Sequence, residues 1–160
     1  MNKSQNINKT QAKYLFMQYD TSKKGLNEEQ FKRLVYEYYN LQPNPTIDSL
    51  IHDMLLIADG TGFFNRHNGI LNQNEFFLIF GKLPSFMTDH VKQFCRVIFE
   101  IIDKGHSQFL DKKELQTLYK KIDNSTLSKA SSEALFSEYD INGDGKISFD
   151  EFLQIYLQQK

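Results

Sequence analysis

The chain has 160 residues, with 19 Lys and Arg against 20 Asp and Glu, a formal net charge of −1, and 40% hydrophobic content that includes 14 phenylalanines. This length suits one or two small lobes with real cores and excludes a large multidomain enzyme. Scattered lysines without a long basic run leave no footprint for nucleic acid, and no apolar stretch reaches the roughly 18 residues of a membrane-spanning helix.

The first residues, Met1-Asn2-Lys3-Ser4, lack a hydrophobic signal region. Asn2 occupies the position where N-myristoylation requires glycine, so no such anchor is expected. Phe16 then stands four residues ahead of Asp20, and Phe31, Leu34, Val35 and Tyr38 follow with the spacing of one helix face. A second stripe of the same spacing is Phe76, Ile79, Phe80 and Leu83. The stretch 81–89 contains Pro84, which disfavours a continuous helix, and a short bent connector is expected there.

Val91, Phe94, Cys95, Ile98 and Ile102 share one face of the next helix, so the single cysteine reads as a buried structural thiol that forms no intrachain disulfide. Phe99 precedes Asp103 by four residues, and Leu115, Leu118, Tyr119 and Ile122 repeat the stripe. Ser128 is an expected N-cap for a helix carrying Leu135, Phe136 and Tyr139. Phe136 again precedes an aspartate, Asp140, by four, and Phe149, Phe152, Leu153 and Tyr156 complete the last helix. One helix–loop–helix unit is thus repeated four times over nearly the whole chain.

The fourth loop, Asp140 to Glu151, reads D-I-N-G-D-G-K-I-S-F-D-E and meets every specified place of the twelve-residue pattern D-x-[DN]-x-[DN]-G-x5-E. Asp140, Asn142 and Asp144 at places one, three and five converge three side-chain oxygens. Gly145 permits the turn at place six, Lys146 offers its backbone carbonyl at place seven, and Ser148 at place nine can hold a water. Glu151 at place twelve can give both carboxylate oxygens and complete an oxygen cage that suits Ca²⁺ better than Mg²⁺.

This loop resembles an EF-hand, and the fourfold repeat resembles the four-EF-hand proteins of the calmodulin superfamily. The resemblance implies an all-α fold of four units paired into two lobes. Short β contacts are implied between paired loops at place eight, through Leu26, Leu71, Leu110 and Ile147. The expected organisation is a structural pair over 1–83, a linker over 84–90, and a calcium-binding pair over 91–160. The near-neutral charge departs from the strongly acidic sensors of the superfamily, because several loops have lost their carboxylates.

In the first loop, Asp20 to Gln30, one residue is missing, Lys24 sits at a ligand place, and neutral Gln30 replaces the closing glutamate, so no metal is expected. The second loop has two readings. Anchoring on Gly69, Leu71 and Glu75 puts Phe64, Arg66 and Asn68 at places one, three and five; starting at Asp59 gives a 17-residue span with an inserted turn. On either reading an empty loop is expected. The third loop keeps Asp103, Ser107, Asp111 and Glu114 at places one, five, nine and twelve, a possible second calcium site. Gly105 offers no side chain, and Gln108 stands at the glycine turn position.

No paired histidines, C-x-x-C or phosphate-binding loop is present, so no enzymatic activity is expected. The expected function is a cytoplasmic calcium-binding regulatory protein of the sensor type, engaging a target protein or amphipathic helix through an apolar groove. Phe94, Ile98, Leu118, Phe136, Phe152 and Ile155 are its expected lining. The alternatives are a constitutive light-chain-like or regulatory subunit docked on a larger protein, and a calcium buffer.

Overall fold

The computed structural model describes residues 7–60, 68–123 and 127–160. Phe64 and Arg66, invoked above for the second loop, lie outside these. The described chain forms α1 (Lys9–Tyr19), β1 (Leu26–Asn27), α2 (Glu28–Tyr39), α3 (Pro45–Ala58), β2 (Ile70–Leu71), α4 (Gln73–Phe80), α5 (His90–Ile102), α6 (Lys112–Asp123), α7 (Lys129–Tyr139) and α8 (Phe149–Gln158). It divides into two compact units, Met1–Val97 and Ile98–Lys160, the division falling within α5. The architecture is all-α with short β contacts, as the repeat implies.

Local chemistry starts six of these helices. Asn8, Asn27, Asn44, Asn72, Ser128 and Ser148 sit in extended backbone and turn a side-chain oxygen onto the free amides of the first turn. Pro45 opens α3, where a missing N–H costs nothing. Asn40 ends α2 in the left-handed region at φ 51°, which asparagine tolerates better than most residues.

In the first unit α4 stops at Phe80, a turn before the expected end of its stripe. Leu83 is nevertheless fully buried. The non-helical stretch 81–89 is tied into this unit, because the Leu83 carbonyl accepts from the Ile7 amide at 3.2 Å and the Pro84 carbonyl from the Tyr39 hydroxyl at 2.7 Å. The core is aromatic: Phe76 stacks on Phe80 with centroids 4.4 Å apart, and Phe16 and Phe31 meet Phe76 at 5.3 and 6.3 Å. Cys95 is buried, as its place on the apolar face of α5 predicts. Phe94 corrects an expectation. It is expected to line an apolar groove with Ile98, Leu118, Phe136, Phe152 and Ile155, but it belongs to the first unit, where its ring packs 6.3 Å from Tyr39.

The second unit is built around Phe152, which stacks on Tyr156 at 4.8 Å and lies 5.5 Å from Phe99 and 6.1 Å from Tyr139. Leu118, Phe136 and Ile155 are buried with it.

The loops pair as the place-eight residues predict. Leu26 faces Leu71 and Asn27 faces Ile70 in an antiparallel two-stranded sheet. Leu110 and Ile147 exchange both backbone hydrogen bonds, at 2.8 and 3.0 Å. All four place-eight side chains are fully buried, so each pairing is anchored in its own core. No helix among the described residues is long and apolar enough to cross a membrane.

Candidate metal centre

Loop four joins the C-terminus of α7 to the N-terminus of α8. Asp140 caps α7, and its carboxylate accepts from the amides of Asp144 and Gly145 at 3.0 and 2.9 Å. The Asn142 side chain shares the Asp144 amide at 2.8 Å, and Asp144 in turn accepts from the Lys146 amide at 3.2 Å. These bonds wind the chain so that the amides of Asp144, Gly145 and Lys146 turn onto the side chains at places one, three and five. The winding needs positive φ at Gly143 and Gly145, 71° and 82°, which glycine adopts without strain.

Glu151 stands in the first turn of α8 and reaches back into the loop. One oxygen accepts from the Asn142 amide at 3.1 Å, the other from the Ser148 amide at 2.8 Å and hydroxyl at 2.7 Å. Burial pushes this carboxyl up, but the Ser148 hydroxyl and the amides of Ser148, Asn142 and Ile141 outweigh burial and hold it below its ordinary value. Ser148 also caps α8 by accepting from the Glu151 amide.

Places nine and twelve are therefore a capping box, a role the ligand pattern had obscured. The same box recurs at Asn27 with Gln30 and at Asn72 with Glu75. Asp111 and Glu114 exchange the equivalent bonds at 2.8 and 3.0 Å. The signal was present in the sequence, since the two places lie three residues apart.

Loop three repeats the frame with a compromised turn. Asp103, nearly buried at 5% exposure, accepts from the amides of Ser107 and Gln108 at 3.0 and 2.8 Å. Glu114 accepts from the Lys104 and Asp111 amides. Gln108 is held at φ 68° and His106 at 52°, conformations that a Cβ makes unfavourable. The Ser107 hydroxyl donates to the Phe109 carbonyl at 2.8 Å, so two oxygens with ligand spacing are engaged with each other.

In loop one Asp20 accepts from the Lys24 amide at 3.2 Å, but the closing residue works differently. The Gln30 carboxamide accepts from the Asn27 amide at 3.0 Å and donates to the Tyr19 carbonyl and the Thr21 hydroxyl at 3.2 and 3.3 Å. Gly25, at φ 109°, passes so close to the paired strand that an added Cβ would stand 2.5 Å from the Leu71 carbonyl oxygen.

The geometry of loop two bears on its two readings. Asp59, which caps α3, accepts from the amides of Asn68 and Gly69 at 2.9 and 2.8 Å, the place-one role. Glu75 accepts from the amides of Gly60 and Asn72, both at 2.9 Å, the place-twelve role. These roles agree with the reading that starts at Asp59, and buried acids stand at both ends of that span.

Among the described residues no three Asp, Glu, His or Cys side chains stand close enough together to hold a metal as they are. In loop four the carboxylates engage backbone amides one by one, while the donor set of Asp140, Asn142, Asp144, the Lys146 carbonyl, Ser148 and Glu151 is all oxygen with three negative charges. That set fits a hard divalent cation of calcium size. Asp103, Ser107, Asp111 and Glu114 offer a thinner set on the same frame.

Residues 91–157 match the family model of the EF-hand domain pair. The chain is also similar to parvalbumins. It is 34% identical to parvalbumin alpha of Esox lucius over 89 residues, 54% of this chain and 78% of that protein. With the thymic parvalbumin of Gallus gallus and parvalbumin beta of Amphiuma means it shares 35% and 37% identity over 83 residues, in each case 51% of this chain and 72% of the relative.

Proposed function

The chain belongs to the EF-hand calcium-binding superfamily, and from that premise we propose that loop four is its principal Ca²⁺ site and that filling it regulates a target protein. Asp140, Asn142, Asp144 and Glu151 would hold the ion with the Lys146 carbonyl and Ser148, directly or through water. Calcium supplies charge and coordination only; the response lies in the chain. The observation that carries the reading is the position of Glu151. It is the one ligand on α8, and its carboxylate already reaches across to Asn142. Drawing it inward pulls on the helix that carries Phe152 and Ile155.

In sensor-type EF-hands such a pull re-angles the exit helix and uncovers an apolar groove for an amphipathic helix. Leu118, Phe136, Phe152 and Ile155 are the groove residues on this reading. The activity is placed in the cytoplasm, where calcium signals arrive as transients. Loop three, with Asp103, Ser107, Asp111 and Glu114, is proposed as a weaker second site in the same unit.

A storage role is the second reading, and one observation favours it. The Tyr119 hydroxyl joins the buried Tyr139 hydroxyl at 2.7 Å and also reaches the Gln159 carboxamide beyond the end of α8. This clasp ties α6, α7 and the chain after α8 together and resists opening. Calorimetric counting of bound ions, with an environment-sensitive apolar dye read in calcium and in chelator, tests both readings. Dye binding that rises with calcium supports the sensor; calcium uptake with no dye response supports storage; no calcium uptake refutes the site.

A further inference from the structure

The clearest link between loops three and four, beyond their shared backbone bridge, is a side-chain contact. The Lys146 ammonium lies 4.0 Å from the centre of the Phe109 ring. Both residues occupy place seven of their loops, immediately before Leu110 and Ile147. Phe109 is a fixed platform: its amide donates to the Ser107 hydroxyl at 3.2 Å, that hydroxyl donates back to the Phe109 carbonyl at 2.8 Å, and the next residue is locked to Ile147. Lys146 reaches the ring from the facing loop. Its amide bonds to Asp144 at 3.2 Å, its successor is bridged to loop three, and its carbonyl is the backbone ligand proposed above. A free lysine ammonium at this place would also add positive charge beside a site that takes a dication.

We propose that Phe109 is a positioning residue for loop four: its ring face captures the Lys146 side chain, holding the place-seven backbone in register and the ammonium away from the cation. The loss of strong ligands from loop three is then compatible with a retained task, since the loop serves its neighbour through Phe109. Among the described residues the first unit has no equivalent, because loop one is a residue short and brings Gly25 against Ile70 there. The proposal rests on the assignment of loop four as the calcium site, and the tests separate the two.

Calcium affinity is measured by calorimetry for the intact chain and for Phe109→Leu, Phe109→Tyr, Lys146→Met and the Phe109→Leu/Lys146→Met double variant. A ring–cation contact at a solvent-facing site predicts that Phe109→Leu weakens loop four about two- to fivefold. Phe109→Tyr, which keeps the ring, restores the affinity, and the loss disappears once Lys146 is Met. An equal loss in both backgrounds overturns the proposal, since it marks general packing rather than action through Lys146. So does no loss at all. Proton resonances of the Lys146 ε-methylene give a readout without calcium. In chelator they shift upfield in the unaltered chain and in Phe109→Tyr, and move to unperturbed positions in Phe109→Leu. Absence of that shift overturns the contact. A normal shift in a chain that takes up no calcium refutes the assignment of loop four instead.

Discussion

Loop one and loop four stand on the same frame, an aspartate capping the first helix and a capping box opening the second, and their closing residues differ by one group. Gln30 carries an NH₂ where Glu151 carries an oxygen. The NH₂ donates to the Tyr19 carbonyl and the Thr21 hydroxyl, so loop one is drawn shut by its own hydrogen bonds. A carboxylate cannot donate, so Glu151 only accepts, from amides and from Ser148, and its charge remains to be matched. One loop replaces the cation with a carboxamide; the other is left needing one. Degeneracy in loop one is therefore a change of closing chemistry rather than simple decay.

Exchanging the closing residues breaks this comparison most directly. If loop four is the site proposed above, Glu151→Gln removes a closing carboxylate and its charge, and an affinity loss of at least about a hundredfold is expected by calorimetry, since even outer partners of metal ligands are worth about 10- to 100-fold. The reverse change, Gln30→Glu, adds the missing carboxylate to loop one but recruits no ion, because the loop is a residue short and Lys24 occupies a ligand place. Instead it sets a charge against the Tyr19 carbonyl, which can only accept, while the Thr21 hydroxyl can turn to donate, and a destabilisation of about 1–3 kcal/mol is expected in chelator. A new calcium equivalent in that variant would show that loop one is merely a damaged site.

Glycines sharpen the contrast at a smaller scale. Gly25→Ala drives a Cβ to 2.5 Å from the Leu71 oxygen and 2.7 Å from the Ile70 side chain, at φ 109°. Chemical denaturation should show a loss of about 2–4 kcal/mol, combining strain and overpacking. At Gly145, φ is 82° but nothing lies within 4 Å of an added Cβ. There alanine meets only the backbone penalty, about 1–2 kcal/mol. Loop three offers the inverse experiment. Gln108 already bears that penalty at φ 68°, so Gln108→Gly should stabilise the second unit by up to about 1 kcal/mol and raise calcium occupancy of loop three.

The regular parts of this molecule are legible in its sequence because they repeat with fixed spacing. The Ser128 cap and the burial of Cys95 follow from period and register, and the place-eight partners from the resemblance to paired EF-hands. So does the turn strain at Gln108, once loop three is aligned on loop four. The irregular parts escape for identifiable reasons. The longer span of the reading from Asp59 separates that residue from the glycine it should precede, and an alignment anchored on that glycine places Phe64 first. The Gln30 donors are invisible when the residue is scored only for lost charge. Phe94 shares an uninterrupted helical face with Ile98 and Ile102, and periodicity along α5 does not reveal that the two compact units divide within it.

Acid separates the two units by the smallest margin and by mechanism. In the first unit Lys32 lies 2.7 Å from Asp48, and the Tyr36 hydroxyl donates to the same carboxylate at 2.7 Å. Burial pushes Asp48 up, but Lys32 and Tyr36 outweigh it and hold the carboxyl below its ordinary value. A carboxyl depressed in the folded state stabilises fully above its unfolded value, about 4, and loses that contribution as pH falls through its folded value. The difference in stability between the unaltered chain and Asp48→Asn should therefore be constant above about pH 5 and fade below about pH 4. Both partners are about two-fifths exposed, so screening keeps the effect under about 1 kcal/mol, and salt near 1 M should erase most of it. Glu151 is also held low, but by neutral amides and a hydroxyl. In chelator its acid-sensitive contribution should survive the same salt. Equal salt sensitivity of the two carboxylates would mean that loop four, like the Lys32–Asp48 pair, is held by long-range charge rather than by its own backbone.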